Sequence, residues 1–169
     1  MNIQQLACIE RKNAWLYNLV EVEFPTQESL KGRDIYFNTL NGQAYHSVDK
    51  SSLLSELSVF SENDIFLVDF HRLTIMFSIL QSNRWEQQSD KDMIIEYLTQ
   101  IILTPEFELY VVFAEGNPIG AAVVSHFEGN TLISDLAVVP EVNQQDIVVA
   151  LAHKLSSEEK LLETVILES

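Results

Sequence analysis

Three features of this sequence predict an α/β chain of the α+β kind, with a mixed sheet built on a central antiparallel meander and flanked by helices. First, three β-rich runs, 108–114, 119–127 and 131–139, are separated only by Glu115-Gly116-Asn117-Pro118 and Glu128-Gly129-Asn130. Short turns holding a glycine join neighbouring antiparallel strands, because glycine takes positive φ at no steric cost. Second, Pro140 lacks an amide donor and stops the third run. The apolar period then changes from two to 3.6, with Ile147, Val148, Leu151 and Leu155 on one face of a helix over 144–157. Third, residues 164–167 form a last short apolar strand after that helix.

The elements before the meander follow from periodicity and capping. Ile3, Leu6, Ala7, Ala14, Leu16, Leu19 and Val20 recur at mostly helical spacing, with one face interrupted by Glu10, Arg11 and Lys12, so 3–20 reads as a helix. Phe24-Pro25-Thr26 ends it, and the segment through Lys31-Gly32-Arg33-Asp34 reads as a loop. Asn41-Gly42 is a tight-turn signal, predicting a small hairpin of 34–40 against 43–48. Ser51 or Ser52 can cap a helix through Leu53, Leu54, Leu57 and Phe60. The apolar run 64–69 has the character of a strand buried on both faces. Residues 71–80 are too densely apolar for a surface helix, which predicts one largely buried along one side. Ser89-Asp90-Lys91-Asp92 reads as a capping box before Met93, Ile94, Tyr97, Leu98, Ile101 and Ile102, a helix that ends before Pro105.

The 169 residues are enough for one domain of ordinary core size, read as an N-terminal extension over 1–60 on a core over 64–169. The formal net charge is −15, and residues 104–169 carry eleven acids against Lys154 and Lys160. Nucleic acids and anionic membranes are drawn to clustered Lys and Arg, so both are disfavoured as partners. Cys8 is the only cysteine, which leaves no disulfide framework. Glu10, Arg11 and Lys12 break any signal-peptide core, and no apolar run reaches about 18 residues, so the expected location is cytoplasmic.

Leu136-Ala137-Val138-Val139-Pro140-Glu141, with Ala150-Leu151 in the helix that follows, resembles the strand-to-helix motif of the GNAT superfamily of N-acetyltransferases. The likeness covers roughly residues 64–169, and the order of strand, two helices, three strands, helix and strand is that family's. It implies acetyl-CoA as acyl donor and an amine as acceptor. It places the main chain of Leu136 and Val138 at the thioester carbonyl, and the cofactor's pyrophosphate at a loop and helix start made of Asn143, Gln144, Gln145, Ile147 and Val148. Asp135 and Glu168 become the carboxylates nearest the acyl carbon, candidates for the base that acts through water. The sequence departs from the family in that loop. Asn143 stands at an Arg or Gln position, and Asp146 and Val148 stand where glycines let backbone amides approach a phosphate. No tyrosine follows Tyr110 to serve as a general acid.

The same residues have ordinary structural readings. Asp135 and Glu168 also suit solvent-facing strand positions, and Asp146 stabilises a helix start without any ligand. His46, His126 and His153 stand alone with no metal-ligand spacing, and no metal site is expected. Asp69-Phe70-His71 lacks the second acid of a D-x-D phosphatase loop. Two functions follow. One is an acetyltransferase-like protein moving an acetyl group to a cationic small-molecule or protein acceptor; the other is a noncatalytic binding module that has lost the cofactor loop. Acetyl-CoA is expected to bind weakly or not at all. Because the family continues beyond its counterpart of 164–167 with a helix and a hairpin, that strand is expected to be covered by a homodimer partner or by residues 1–60.

Overall fold

The computed structural model describes residues 1–169 and places six strands in one mixed sheet. Two helices come first, α1 (Ile3–Asn18) and α2 (Gln27–Leu40), then strand β1 (Tyr45–Asp49) and the short α3 (Lys50–Leu54). Strand β2 (Ile65–Leu67) leads into α4 (His71–Ser82) and α5 (Gln88–Leu98). The meander is β3 (Phe107–Ala114), β4 (Asn117–Phe127) and β5 (Asn130–Val138), followed by α6 (Gln144–Ser157) and β6 (Thr164–Glu168). The spatial order is β1-β6-β5-β4-β3-β2, with β5 and β6 parallel and every other neighbour antiparallel. Both meander turns are two-residue turns with positive φ throughout, Glu115 (52°) and Gly116 (79°), then Glu128 (50°) and Gly129 (78°). That is the mirror-image turn whose twist matches the strands it joins.

Each face of the sheet has its own core. On one, Tyr110, Val112, Val124 and Ile133 meet Ile147, Val148, Leu151 and Leu155 of α6, the helical face read from the sequence. Gly120 lets α6 come close, since a Cβ there would lie 2.9 Å from Ile147 Cδ1. On the other, Val111, Ala121 and Val123 meet Leu16, Tyr36, Phe77, Ile94, Tyr97 and Leu98 from four different helices.

The N-terminal third differs from its expected form. Residues 27–40 are helical rather than a loop and half a hairpin. Thr26 caps α2 by accepting the Ser29 N–H (3.1 Å), and Gly32 faces α5, where a Cβ would lie 2.1 Å from the Met93 carbonyl oxygen. Glycine here marks a close helix crossing and not a break. Asn41-Gly42 follows the end of α2, and β1 pairs across the molecule with β6, from Tyr45 opposite Glu168 to Asp49 opposite Thr164. Residues 1–60 therefore cover the outer edge of β6. The strand at 65–67 is not buried on both faces: it is the opposite sheet edge, with Phe66 45% and Leu67 39% exposed. The expected helix through Phe60 stops at Leu54, where Ser52 Oγ bonds back to the Asp49 carbonyl (2.7 Å). At α5 the residue at the cap is Gln87 and no side chain caps the helix, so the capping box at Ser89 does not form.

Candidate functional site

The parallel strands β5 and β6 stay in register only from Asn130 opposite Thr164 to Ile133 opposite Leu167. Just beyond, β5 bulges. Ser134 pairs with Val123 and Ala137 with Ala121, so Asp135 and Leu136 together face the single residue Ala122. Asp135 sits at φ 52°, a left-handed conformation that costs a residue with a side chain about 1–3 kcal/mol unless its surroundings hold it.

They do hold it. The Asp135 carboxylate accepts hydrogen bonds from Tyr36 Oη (2.6 Å) and Ser134 Oγ (2.8 Å) and lies 2.8 Å from Lys12 Nζ. The Lys12 and Asp135 side chains are both 0% exposed. Gln81 donates its side-chain amide to the Asp135 carbonyl. The N–H groups of Asp135 and Leu136, turned the same way by the bulge, both donate to Glu168, to Oε1 and to Oε2 (3.2 Å) respectively. Arg84, two residues beyond α4, lays its guanidinium 5.1 Å from the Tyr36 ring and 4.9 Å from that of Trp85, and its Nε and Nη2 are buried without an acceptor. Two cations and two carboxylates thus meet around the bulge, with Lys12 and Asp135 buried and Arg84 and Glu168 half-buried.

The two acids respond in opposite directions. Burial alone would raise the Asp135 pKa, but the charges of Lys12 and Arg84 and the hydrogen bonds from Lys12 and Tyr36 outweigh it and hold Asp135 below the usual carboxylate range. Glu168 is pushed up by burial and then by the charge of Asp135, against the pull of the two backbone N–H groups. Burial and the neighbouring Asp135 also push the Tyr36 phenol well above its ordinary range, so it stays a neutral donor.

The bulge brings together Asp135, Leu136 and Glu168 from the sequence-derived site. Val138 lies further along β5, half-buried against the α6 core. The loop residues go elsewhere. Asn143 is the cap of α6, accepting the Gln145 N–H (2.8 Å), and the Asp146 N–H bonds to the Asn143 carbonyl (3.1 Å). The Gln145 side-chain amide donates to Glu56 (3.0 Å), Gln144 is exposed, and Ile147 and Val148 are core residues. Asp135 is also not a solvent-facing strand residue, because α1 and α2 roof it over. Five members of the cluster were not read from the sequence: Lys12, Tyr36, Gln81, Arg84 and Ser134. Lys12 carried a signal, since it stands four residues from both Cys8 and Leu16, on the apolar face of α1.

This arrangement does not fit acetyl-CoA. The bulge amides that would meet a thioester carbonyl already donate to Glu168. The start of α6 turns the Gln145 and Asp146 N–H groups onto Asn143, carries Asp146 in its first turn and holds Glu56 against the Gln145 side chain. Nor is any group of three or more His, Cys, Asp or Glu placed to hold a metal ion. No helix is long and apolar enough to cross a membrane.

The antiparallel meander, the parallel β5–β6 pair that parts at a bulge, and α6 between them in sequence have the arrangement that the resemblance to the GNAT superfamily implies. No protein-family model and no curated protein matches the chain. Among solved structures, a functionally unknown conserved protein from Staphylococcus epidermidis ATCC 12228 superposes with a TM-score of 0.55 at 16% identity, over 86% of this chain and 60% of that one. A GCN5-related N-acetyltransferase from Kribbella flavida gives 0.48 at 12% identity, over 79% and 52%. A tandem GNAT protein from the clavulanic acid biosynthesis pathway gives 0.42 at 15%, over 80% and 49%. The chain spans from 49% to 60% of the length of these proteins, and what it shares with the first of them is a fold.

Proposed function

We propose that this chain is a noncatalytic, acetyltransferase-like binding module, a GNAT-like scaffold whose acyl-carrying end is filled by its own side chains. The observation that carries this reading is the contact of one Glu168 carboxylate with the N–H groups of both Asp135 and Leu136. A backbone amide polarises an acyl carbonyl only if it is free to donate and aimed at the developing charge. Here a negative charge sits where that oxygen would arrive. The start of α6 adds a second obstacle, because Asp146 and Glu56 oppose a pyrophosphate electrostatically. The net charge of −15 favours a cationic partner, small molecule or protein.

Titration calorimetry with acetyl-CoA tests the reading on the wild type and on Glu168→Ala. No measurable heat is expected from either, since the variant frees the amides but leaves the start of α6 unchanged. Micromolar or tighter binding by the wild type would overturn it. Release of free CoA thiol that depends on an added amine would put acetyl transfer in its place.

A further inference from the structure

β2 closes the sheet on the side away from β1, and no other element of the chain pairs with its outer side. Val68 donates its N–H to the Leu109 carbonyl (2.8 Å), and Phe66 lies opposite Val111, so the backbone groups of these two residues turn inward. By the alternation of an antiparallel ladder, those of Ile65 and Leu67 turn outward. The Ile65 N–H is taken by the Glu62 carbonyl. The Ile65 carbonyl and both groups of Leu67 are left on the open edge.

Apolar hollows lie at both ends of this edge. One of about 350 Å³, at the start of β2, is lined by Asp64, Phe66, Phe70, Leu73, Phe113 and Gly116. Another of about 310 Å³, at its end, is lined by Leu67, Val68, Leu103, Pro105 and Phe107, with Asp69 and Glu108 at its rim. Phe70, in the first of them, is 52% exposed. The strand is bracketed by Asp64 and Asp69, and neither forms an ion pair, whereas Glu108 is matched by Lys160 at 3.1 Å. Arg72, one residue into α4, is the nearby cation in sequence.

We propose that the β2 edge takes up an extended peptide segment with an apolar centre flanked by basic residues as a seventh strand. It rests on the binding-module reading and names the partner class for it. Strand addition draws affinity from main-chain hydrogen bonds and specificity from hollows that receive alternate side chains, and this edge offers both. Charge selects the occupant. A second copy of this chain added antiparallel would set Asp64 and Asp69 against the same acids, a like-charge pairing across strands that is unfavourable. A segment carrying Lys or Arg at those positions reverses the sign.

The probe is a fluorescein-labelled peptide of about ten residues with a Val-rich centre and a lysine on each side of it to face Asp64 and Asp69, long enough to form one ordinary strand. Anisotropy should show saturable binding to the full chain, and amide exchange should slow at Leu67 and Asp69. N-methylation of alternate peptide amides, and separately the double variant Asp64→Lys with Asp69→Lys, should each weaken binding by about tenfold or more. If the variant fails to fold, the N-methylated peptide on the wild type still decides. Equal affinity for both peptides would reduce the contact to charge attraction and overturn the proposal, as would failure to saturate. Protection of the same amides by self-association, in the absence of peptide, would assign the edge to a second copy. Heat from acetyl-CoA would sink the earlier reading while leaving these outcomes to judge this one.

Discussion

Asp135 combines two costs, a buried charge and a left-handed backbone, and Lys12 bears most directly on whether they are met. Taking one partner out of a buried ion pair leaves the other uncompensated, at about 3–5 kcal/mol, whereas exchanging both for apolar groups is often neutral. Lys12→Met should therefore lower stability to urea by about that amount, and Lys12→Met with Asp135→Leu should recover much of it. A loss under about 0.5 kcal/mol for the single variant is the size of a surface change and would contradict the pair. Glu168 makes a separate prediction with pH. Its folded pKa lies above its ordinary value of 4.5, so between these two the folded state binds more protons than the unfolded state, and stability falls as pH rises through that window. Asp135 has the opposite sign: its contribution is present above its ordinary 3.8 and is lost as pH falls through its lowered folded value. On mild acidification the wild type should gain stability relative to Glu168→Gln, measured by urea midpoints across the pH range; parallel curves would show that Glu168 is not strained. Sequence alone exposed half of this. A lysine four residues from Cys8 and from Leu16 is visibly on an apolar face, but its partner is set by tertiary packing.

Among the elements, the ones that sequence reading recovered are those specified locally. Glu115-Gly116 and Glu128-Gly129 dictate their hairpins, and α6 declares its buried face by spacing, so Leu151→Ala should cost about 2–5 kcal/mol at a site 0% exposed. The failures lie where a distant element decides. Gly32 resembled a loop because glycine in a helix costs about 1 kcal/mol against alanine, and only the presence of α5 explains its use. Two effects then compete in Gly32→Ala. Propensity favours alanine by about 1 kcal/mol, but the new Cβ at 2.1 Å from the Met93 oxygen forces α2 away from α5, an overpacking that typically costs about 1–3 kcal/mol. Backbone atoms cannot turn aside as a flexible side chain would, so the clash should win and thermal unfolding should move down. An increase in midpoint would mean that the two helices are further apart than described. The hairpin expected at Asn41-Gly42 failed for the same kind of reason: β1 finds its partner in β6, at the far end of the sequence.

At the scale of the molecule, residues 1–60 complete the GNAT-like part in three ways at once. β1 supplies the outer neighbour of β6, α1 packs Cys8 and Ile9 against Leu132 and Ile166, and Lys12 and Tyr36 close over Asp135. The likeness read from Leu136 to Leu151 covered only the later part, and nothing in that motif specifies what covers its strand edge or its acid. Removing 1–60 should then do more than trim the chain. The fragment 61–169 would expose an apolar strand with unpaired backbone groups at β6, and such edges pair with other chains. It would also leave Asp135 without its counter-charge, on a conformation that needs its surroundings. Light scattering should find the fragment associated, and amide exchange should find the β6 amides that face β1 in the full chain unprotected wherever monomer persists. A monomeric fragment whose β6 amides exchange as slowly as in the full chain would show that the later elements hold the strand edge and the bulge by themselves.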